Sequence, residues 1–218
     1  NRENDVKIIR HVKNRGLAAA RNTAVAVSSG EFIMHVDSDD WIDNKALETL
    51  YGMVNEYGVS MAIGGIQVVE KNIATNTRSN ENIYKLSREN LLDRFFRVNG
   101  EPDTHSVCAA LIRRDILEDY HFIEGKMNED VEACYYLARK CEGAVYTSKP
   151  VYFYFKNVEG VTNSGFSKKK LDLLDVWDIV QKQVLQYTPE YAYACEMNCK
   201  RARFTLLSLI HISEPTRH

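Results

Sequence analysis

A chain of 218 residues suits one domain with appendages, and 44% apolar with 27% charged residues allows a core and argues against disorder. Lys and Arg number 28 against 30 Asp and Glu, so the net charge of -2 implies no general affinity for nucleic acid. No uninterrupted apolar run approaches the roughly 18 residues that span a bilayer. The five cysteines, Cys108, Cys134, Cys141, Cys195 and Cys199, form no C-x-x-C pair and have no zinc-like His spacing. Cys195 and Cys199, at i and i+4, would make a metal half-site at most; buried free thiols in a reducing compartment are the simpler reading.

Taken in chain order, Val6–Val12 reads as a strand. The apolar run Phe32-Ile33-Met34-His35-Val36, bounded by Gly30 and by acids, reads as a buried strand that ends in the loop Asp37-Ser38-Asp39-Asp40. Three carboxylates within four residues repel unless a cation or solvent screens them. In an extended segment Asp37 and Asp39 point the same way and can address one ligand, and the carboxyl end of a strand is where α/β sheets bind ligands. A solvated acidic turn that caps the next helix is the competing reading.

That next helix spans Asn44–Tyr57, with Asp43 as N-cap and Leu47, Leu50, Tyr51 and Val54 on one face. Val59–Val69 is a strand in which Gly64-Gly65 marks a bulge or a close backbone approach, and Ile73–Arg78 is expected to pair back on it. A helix over Ser87–Val98, a strand over Val107–Ile112 and a short helix over Arg114–Asp119 follow. Val131, Cys134, Tyr135 and Ala138 fall at i, i+3, i+4 and i+7, a helix that opens on Asn128-Glu129-Asp130. Acids in a first helical turn are favoured by the macrodipole alone. Gly143–Thr147 and Val151–Phe155 are strands, and Lys168–Leu185 and Pro189–Leu206 are helices separated near Thr188. The alternation of strands and helices predicts an α/β fold with a mostly parallel sheet.

The stretch from Asn14 to Trp41, with Asn14-Arg15-Gly16-Leu17-Ala18-Ala19-Ala20-Arg21-Asn22 and then Gly30-Glu31 through Asp37-Ser38-Asp39-Asp40-Trp41, resembles the inverting glycosyltransferases of family 2. Glu129-Asp130 resembles the family's downstream E-D motif, and Pro150–Tyr154 with Asn163-Ser164 its strand and polar loop. The resemblance implies the GT-A (Rossmann-like) fold, a sheet flanked by helices, with C-terminal helices added. It implies transfer of a sugar from a nucleoside-diphosphate sugar, a UDP-sugar first of all, to a glycan or lipid-linked acceptor in cell-surface polysaccharide synthesis. The alternatives are a nucleotidyltransferase-like nucleotide-sugar-binding protein and a remnant without chemistry.

In that frame Asp39, assisted by Asp37 or Asp40, would hold Mn²⁺ or Mg²⁺ as Lewis acid and template. Asp37 could instead bond the ribose. Asp130 would take the proton from the acceptor hydroxyl in a single inverting displacement. Arg21, Asp37, Asp40, His105 and Glu129 are the expected donor contacts; for Arg21 a surface ion pair carries equal weight. His105 and Ser106 are expected along the sugar pocket, where the family often has a Trp and a Lys and this chain has Cys108-Ala109-Ala110. Tyr152, Tyr154 and Phe155 are candidates to stack on an acceptor sugar, with core packing expected for at least two. Lys156, Asn163 and Ser164 are candidate phosphate or acceptor contacts, and His35 reads as structural. Location in the cytoplasm, with peripheral association at the inner face of the membrane, completes the expectation.

Residues 1–166 are therefore read as the catalytic core and 167–206 as a helical region. The core is expected to lack the family's first β-α-β segment, roughly 40–60 residues, and with it part of the donor pocket; alone it should be inactive. Residues 207–218, Leu207-Ser208-Leu209-Ile210-His211-Ile212-Ser213-Glu214-Pro215-Thr216-Arg217-His218, resemble the translation of a transposase-type sequencing adaptor and are read as a non-native tail.

Overall fold

The computed structural model describes residues 6–70, 73–74, 81–100, 105–156 and 165–213. Helices α1 (Leu17–Val27), α2 (Ala46–Tyr57), α3 (Arg88–Phe96), α4 (Arg114–Glu118), α5 (Glu129–Lys140), α6 (Asp172–Tyr187) and α7 (Ala192–Ser213) surround one sheet. Its strands are β1 (Phe32–Met34), β2 (Trp41–Ile42), β3 (Met61–Glu70), β4 (Ile73–Ala74), β5 (Ile83–Ser87), β6 (Ala110–Arg113) and β7 (Gly143–Phe155). The spatial order is β1-β6-β3-β7-β2, with β4 on β3 and β5 on β7.

The sheet is mixed, which corrects the mostly parallel arrangement expected. Among the described strands β3 and β7 run parallel, whereas β1/β6, β6/β3, β3/β4, β5/β7 and β2/β7 are antiparallel. Strand–helix alternation suggests parallel crossovers, but a helix gives a parallel neighbour only when it carries the chain back to the end of the sheet where the preceding strand began. The chain through α3 instead feeds β6 in between β1 and β3 with the opposite sense.

Alternation along the strands divides the core in two. Met61 of β3, Ala110 and Ile112 of β6 and Ala144 of β7 face a large cluster closed by α3, α5, α6 and α7. Ala62, Leu111 and Val145 face the other way and meet Ala46, Leu50, Met53 and Val54 of α2. On α6, Val176, Val180 and Val184 recur at i, i+4 and i+8 and are fully buried in the larger cluster, as are Cys195 and Cys199 of α7 nearby. The C-terminal helices thus pack on the core. Among the residues of α7 whose side chains are described, Leu206 is the last to be buried.

Several predicted elements shift for identifiable reasons. Residues 6–12 form no strand: Val6, Ile8 and Val12 stay exposed, and β-propensity without a pairing partner does not make one. On α2, Leu47 and Tyr51 stay half-exposed, because Ala46, Leu50, Met53 and Val54 form the inward stripe. Asp43 lies two residues before the N-cap position, Lys45; its Oδ1 accepts from the Lys45 N–H at 2.8 Å and shapes the turn before the helix. The two strands expected over 143–147 and 151–155 are one, β7, irregular around Pro150. Ser87 caps α3, in a box closed by Asn90. The five cysteines are free.

Gly64 and Gly65 mark a close approach. The β3/β7 register shifts there, from Ile63 opposite Tyr146 to Gly65 opposite Pro150. A Cβ on Gly64 would lie 2.0 Å from Val151 Cγ2, and one on Gly65 would lie 2.6 Å from the Ser148 carbonyl oxygen. Gly64→Ala should therefore lower stability by about 1–3 kcal/mol through overpacking of two central strands. Chemical denaturation should show a lower midpoint, and an unchanged midpoint would mean that Val151 yields without cost.

Candidate functional site

The site is assembled around one arginine. Arg21 leaves α1 on the same face as the buried Ala18 and is itself almost fully buried. Its Nη2 donates to Asp37 Oδ1 at 3.0 Å, and its Nη1 donates to Glu129 Oε1 at 2.9 Å and also to Asp130 Oδ1. A buried cation must be paired, and here three carboxylates from two sequence-distant segments, the acidic loop and α5, supply the charge. The expected surface ion pair is excluded by this burial.

The same arrangement explains the acidity of the site. Burial opposes the charge on Arg21, but Asp130 and then Asp37 outweigh it and keep the guanidinium firmly protonated. Burial pushes the Asp130 carboxyl up to about 6; Arg21 pulls it down and Glu129 pushes it further up. Three carboxylates around one guanidinium leave the cluster short of positive charge. The Asp130 Oδ2 also faces the Val107 N–H at 3.4 Å.

Asp130 is aimed by backbone geometry. Asn128, immediately before α5, is left-handed at φ 62°, a conformation that Asn tolerates better than other non-glycine residues. This turn sends Glu129 and Asp130 into the first helical turn and toward Arg21. Ala109, with φ also 62°, is a second left-handed residue, packed beside Cys108 where His35 bridges the strands. Cys108 Sγ lies 4.0 Å from Arg21 Nη2, and burial pushes its thiol up to about 11, so it stays protonated.

The acidic loop splits in two. Asp37 faces Arg21, and its N–H donates to the Tyr152 hydroxyl at 3.1 Å. Asp40 turns to β7, where Tyr152 OH donates to Oδ2 at 2.6 Å and the Phe155 N–H to Oδ1 at 2.8 Å. Burial raises the Asp40 carboxyl and these bonds oppose the rise. Asp40 therefore holds the loop on the sheet rather than facing the cleft. Asp39 stays exposed at the turn. Among the described residues no group of three or more His, Cys, Asp or Glu could hold a metal ion. The donor chemistry nevertheless fits a hard cation, because one or two carboxylates suffice when phosphate oxygens complete the shell.

A cleft of about 900 Å³ opens over Arg21, Asp37, Glu129 and Asp130, with His105 and Trp177 along it. His105 donates through Nε2 to the Phe95 carbonyl at 3.1 Å; burial first, and Arg97 to a lesser degree, lower it to about 4, so it is neutral. Ser106 spends its hydroxyl oxygen on the Cys108 N–H at 3.1 Å. His35 is buried and lowered to about 4 by burial and then Arg21, as a structural residue would be.

The aromatic candidates are structural. Tyr152 is buried, and Tyr154 packs against the α2 core. Phe155 lies 6.5 Å from Trp41, itself stacked on Phe153. Lys156 pairs with Glu70 at 2.6 Å, away from the cleft lining. Asn163 and Ser164 lie outside the described residues.

Two further contributors have a role that the sequence does not spell out, although Asn22 closes the Asn14–Asn22 string. Asn22 donates from Nδ2 to the Phe122 carbonyl at 3.0 Å and accepts the Phe122 N–H on Oδ1 at 2.8 Å. This clamp holds the Phe122 ring 5.5 Å from the Arg21 guanidinium, and edge-on to His35 at 5.4 Å. Glu132, one turn beyond Glu129, is a buried acid held by Tyr120 OH at 2.6 Å and Gln183 Nε2 at 2.8 Å, and it joins α5 to α6.

Residues 1–121 match the family described as Glycosyl transferase family 2. The chain is 30% identical over 162 residues to "Glycosyltransferase GlyA" of Streptococcus pneumoniae, covering 65% of this chain and 21% of that protein. It is 38% identical over 68 residues to "UDP-Glc:alpha-D-GlcNAc-diphosphoundecaprenol beta-1,3-glucosyltransferase WfgD" of Escherichia coli, 31% of this chain and 26% of that protein. Its fold is similar to that of S. aureus TarS 1-349 in complex with UDP-GlcNAc, with a TM-score of 0.69 at 18% identity over 97% of this chain and 58% of that one. The architecture is the GT-A fold. The chain spans from about a fifth to less than two thirds of the length of these relatives.

The charge balance around Arg21 is open to direct titration. The Asp130 carboxyl should titrate near 6 by carbon-detected NMR. Its folded value lies above the ordinary 3.8, so the stability it contributes is complete below 3.8 and is lost as pH rises through about 6. Arg21→Gln should push the Asp130 value higher and destabilise the fold by about 3–5 kcal/mol, because it strands buried carboxylates. An unmoved Asp130 titration in that variant would show that Arg21 does not set it.

Proposed function

The chain belongs to glycosyltransferase family 2, and from that premise we propose that it serves the transfer of a sugar from a nucleoside-diphosphate sugar, a UDP-sugar first, to a glycan or lipid-linked acceptor. The reaction is a single inverting displacement in cell-surface polysaccharide synthesis, on the cytoplasmic face of the membrane. The observation that carries the reading is the cleft in which Arg21 joins Asp130 to Asp37 of the acidic loop. The binding of UDP-GlcNAc by TarS supports the donor class, and the name of WfgD supports both the UDP-sugar and a lipid-linked acceptor.

Asp130 is the general base. A carboxylate pushed up to about 6 by its surroundings is ionised at neutral pH yet more basic than an ordinary one, which suits proton removal from an acceptor hydroxyl. Arg21 keeps that carboxylate oriented and ionised. Asp37 faces the donor from the sheet end, and Glu129 helps to fix the guanidinium between them. Asp39, with Asp37, would hold Mn²⁺ or Mg²⁺, which supplies charge neutralisation for the departing diphosphate. Asp40 and Tyr152 hold the acidic loop in register with β7. Neutral His105 lines the cleft as a polar wall.

In the full-length protein carrying this sequence, Asp130→Asn should keep donor affinity and lower kcat by roughly 10²–10⁴-fold. Near-normal turnover, or a loss of donor affinity as large as the loss of rate, would remove Asp130 from the role of base. The wild-type kcat/KM should fall on the acid side through about pH 6, following the Asp130 carboxyl. Asp39→Ala should abolish the Mn²⁺-dependent part of nucleoside-diphosphate binding measured by calorimetry. Equal affinity with and without Asp39 would sink the metal assignment.

A further inference from the structure

The larger core is not filled throughout. Between the sheet, α3 and α5 it leaves a cavity of about 100 Å³. Strand β3 contributes Met61 and Ile63 to the lining, α3 contributes Leu91 and Phe95, and α5 contributes Leu137 and Ala138. Larger side chains of the same two helices, Phe96 and Tyr135, hold them to the core and are almost fully buried. At Ala138, and at Ala110 of β6 opposite, the lining offers no more than a Cβ. Protein interiors leave few voids larger than a water molecule, so a space of this size is a specific product of how these helices pack.

The chemistry of the lining selects what can enter. His105 already bonds the Phe95 carbonyl through Nε2 at 3.1 Å and is neutral. Arg94 sets its guanidinium over the Tyr146 ring at 4.7 Å. Burial keeps the Cys134 thiol protonated. A cavity water needs about two to four polar partners, so water has little hold here. A charged or strongly polar molecule would lose its solvent without return. An engineered apolar cavity of roughly 150 Å³ stays dry and takes up benzene or xenon. A space of about 100 Å³ with a similar lining suits something smaller than benzene.

The position of the cavity ties it to the cleft. His105 lines both the cavity and the cleft that holds Asp130. Cys134 stands one turn beyond Asp130 on α5. It is surrounded by protein yet keeps accessible surface, because it borders the cavity, whereas the other four cysteines are buried. We propose that this cavity is a ligand site for a small, uncharged, apolar molecule, of about the size of xenon or cyclopropane, and that its occupant bears on the His105 wall of the cleft. The site stands on the packing of α3 and α5 against the sheet, whichever reaction the cleft performs.

NMR on the full-length protein carrying this sequence, under xenon pressure and separately with dissolved cyclopropane, tests this. At least one probe should shift the methyl signals of Met61, Ile63, Leu91 and Leu137 and the ring signals of His105, and the shifts should saturate. The methyl signals of Leu50 and Met53, in the other core cluster, should stay in place. Acetamide, small but polar, should move none of them. Ala138→Leu should fill the space and abolish the shifts. Leu91→Ala should enlarge it so that benzene, excluded by the wild type, binds and raises the melting temperature of the variant. No saturable methyl shift with either probe overturns the site. So do equal shifts with acetamide, wild-type shifts in a folded Ala138→Leu, or failure of Leu91→Ala to take up benzene. Methyl shifts with no change at His105 would overturn the link to the cleft.

Discussion

The buried guanidinium of Arg21 is the constraint on which the site depends. Removing a charge from water is costly, and the cost is offset only when partners are in place with good geometry. Its partners come from the acidic loop, 16 residues along the chain, and from α5, 108 and 109 residues along it. Folding therefore cannot bury Arg21 without bringing Asp37, Glu129 and Asp130 to the same point. The site is assembled as a by-product of neutralising one cation. Because the acids outnumber it, their charge is only partly cancelled, and the buried Asp130 carboxyl is pushed up to about 6.

The surrounding contacts keep that arrangement from relaxing. Asn22, next to Arg21 on α1, grips the backbone of Phe122 with both ends of its amide, so α1 cannot turn about its axis without breaking two hydrogen bonds. Tyr152 accepts from the Asp37 N–H and donates to Asp40, which fixes the acidic loop from the β7 side. Asn128 sets the direction in which α5 starts. Preorganisation of this kind matters for proton transfer, because a base must already stand at the right distance from its proton when the substrate binds.

Much of this was legible in the sequence, and the reason lies in how local the signals are. The strand into the acidic loop, the helix that opens near Ser87 and the α5 stripe each depend on neighbours within a few residues, where periodicity speaks directly. Arg21 and Asp130 were marked by motifs, but their direct bond joins residues 109 apart, and no periodicity encodes it. The part played by Asp40 was obscured for the same reason: three adjacent acids look alike until Tyr152 and the Phe155 backbone claim one of them. The strand senses were misread because alternation of strand and helix leaves open which end of the sheet each helix returns to. Residues 6–12 looked like a strand because β-propensity was counted without asking what they would pair with.

The same distinction separates the two walls of the cleft. The wall that carries Arg21 and Asp37 lies within the segment that matches the family, residues 1–121, and it is built from short contiguous motifs. The facing wall joins Arg97, at the end of α3, to Asn198 and Arg201 on α7, residues about a hundred positions apart that share no motif. Chemistry common to all donors requires a fixed set of groups, so it condenses into recognisable strings. Selection of one acceptor requires only that charge and shape agree across a gap, and many unrelated sequences can supply that. A wall made by docking α7 onto α3 can therefore change its charge through exposed positions such as Arg201 while the buried contacts of Asn198 and Cys199 keep the helices in place. One wall of the cleft can therefore be read from contiguous residues, and the other only from the packing of α7 on α3.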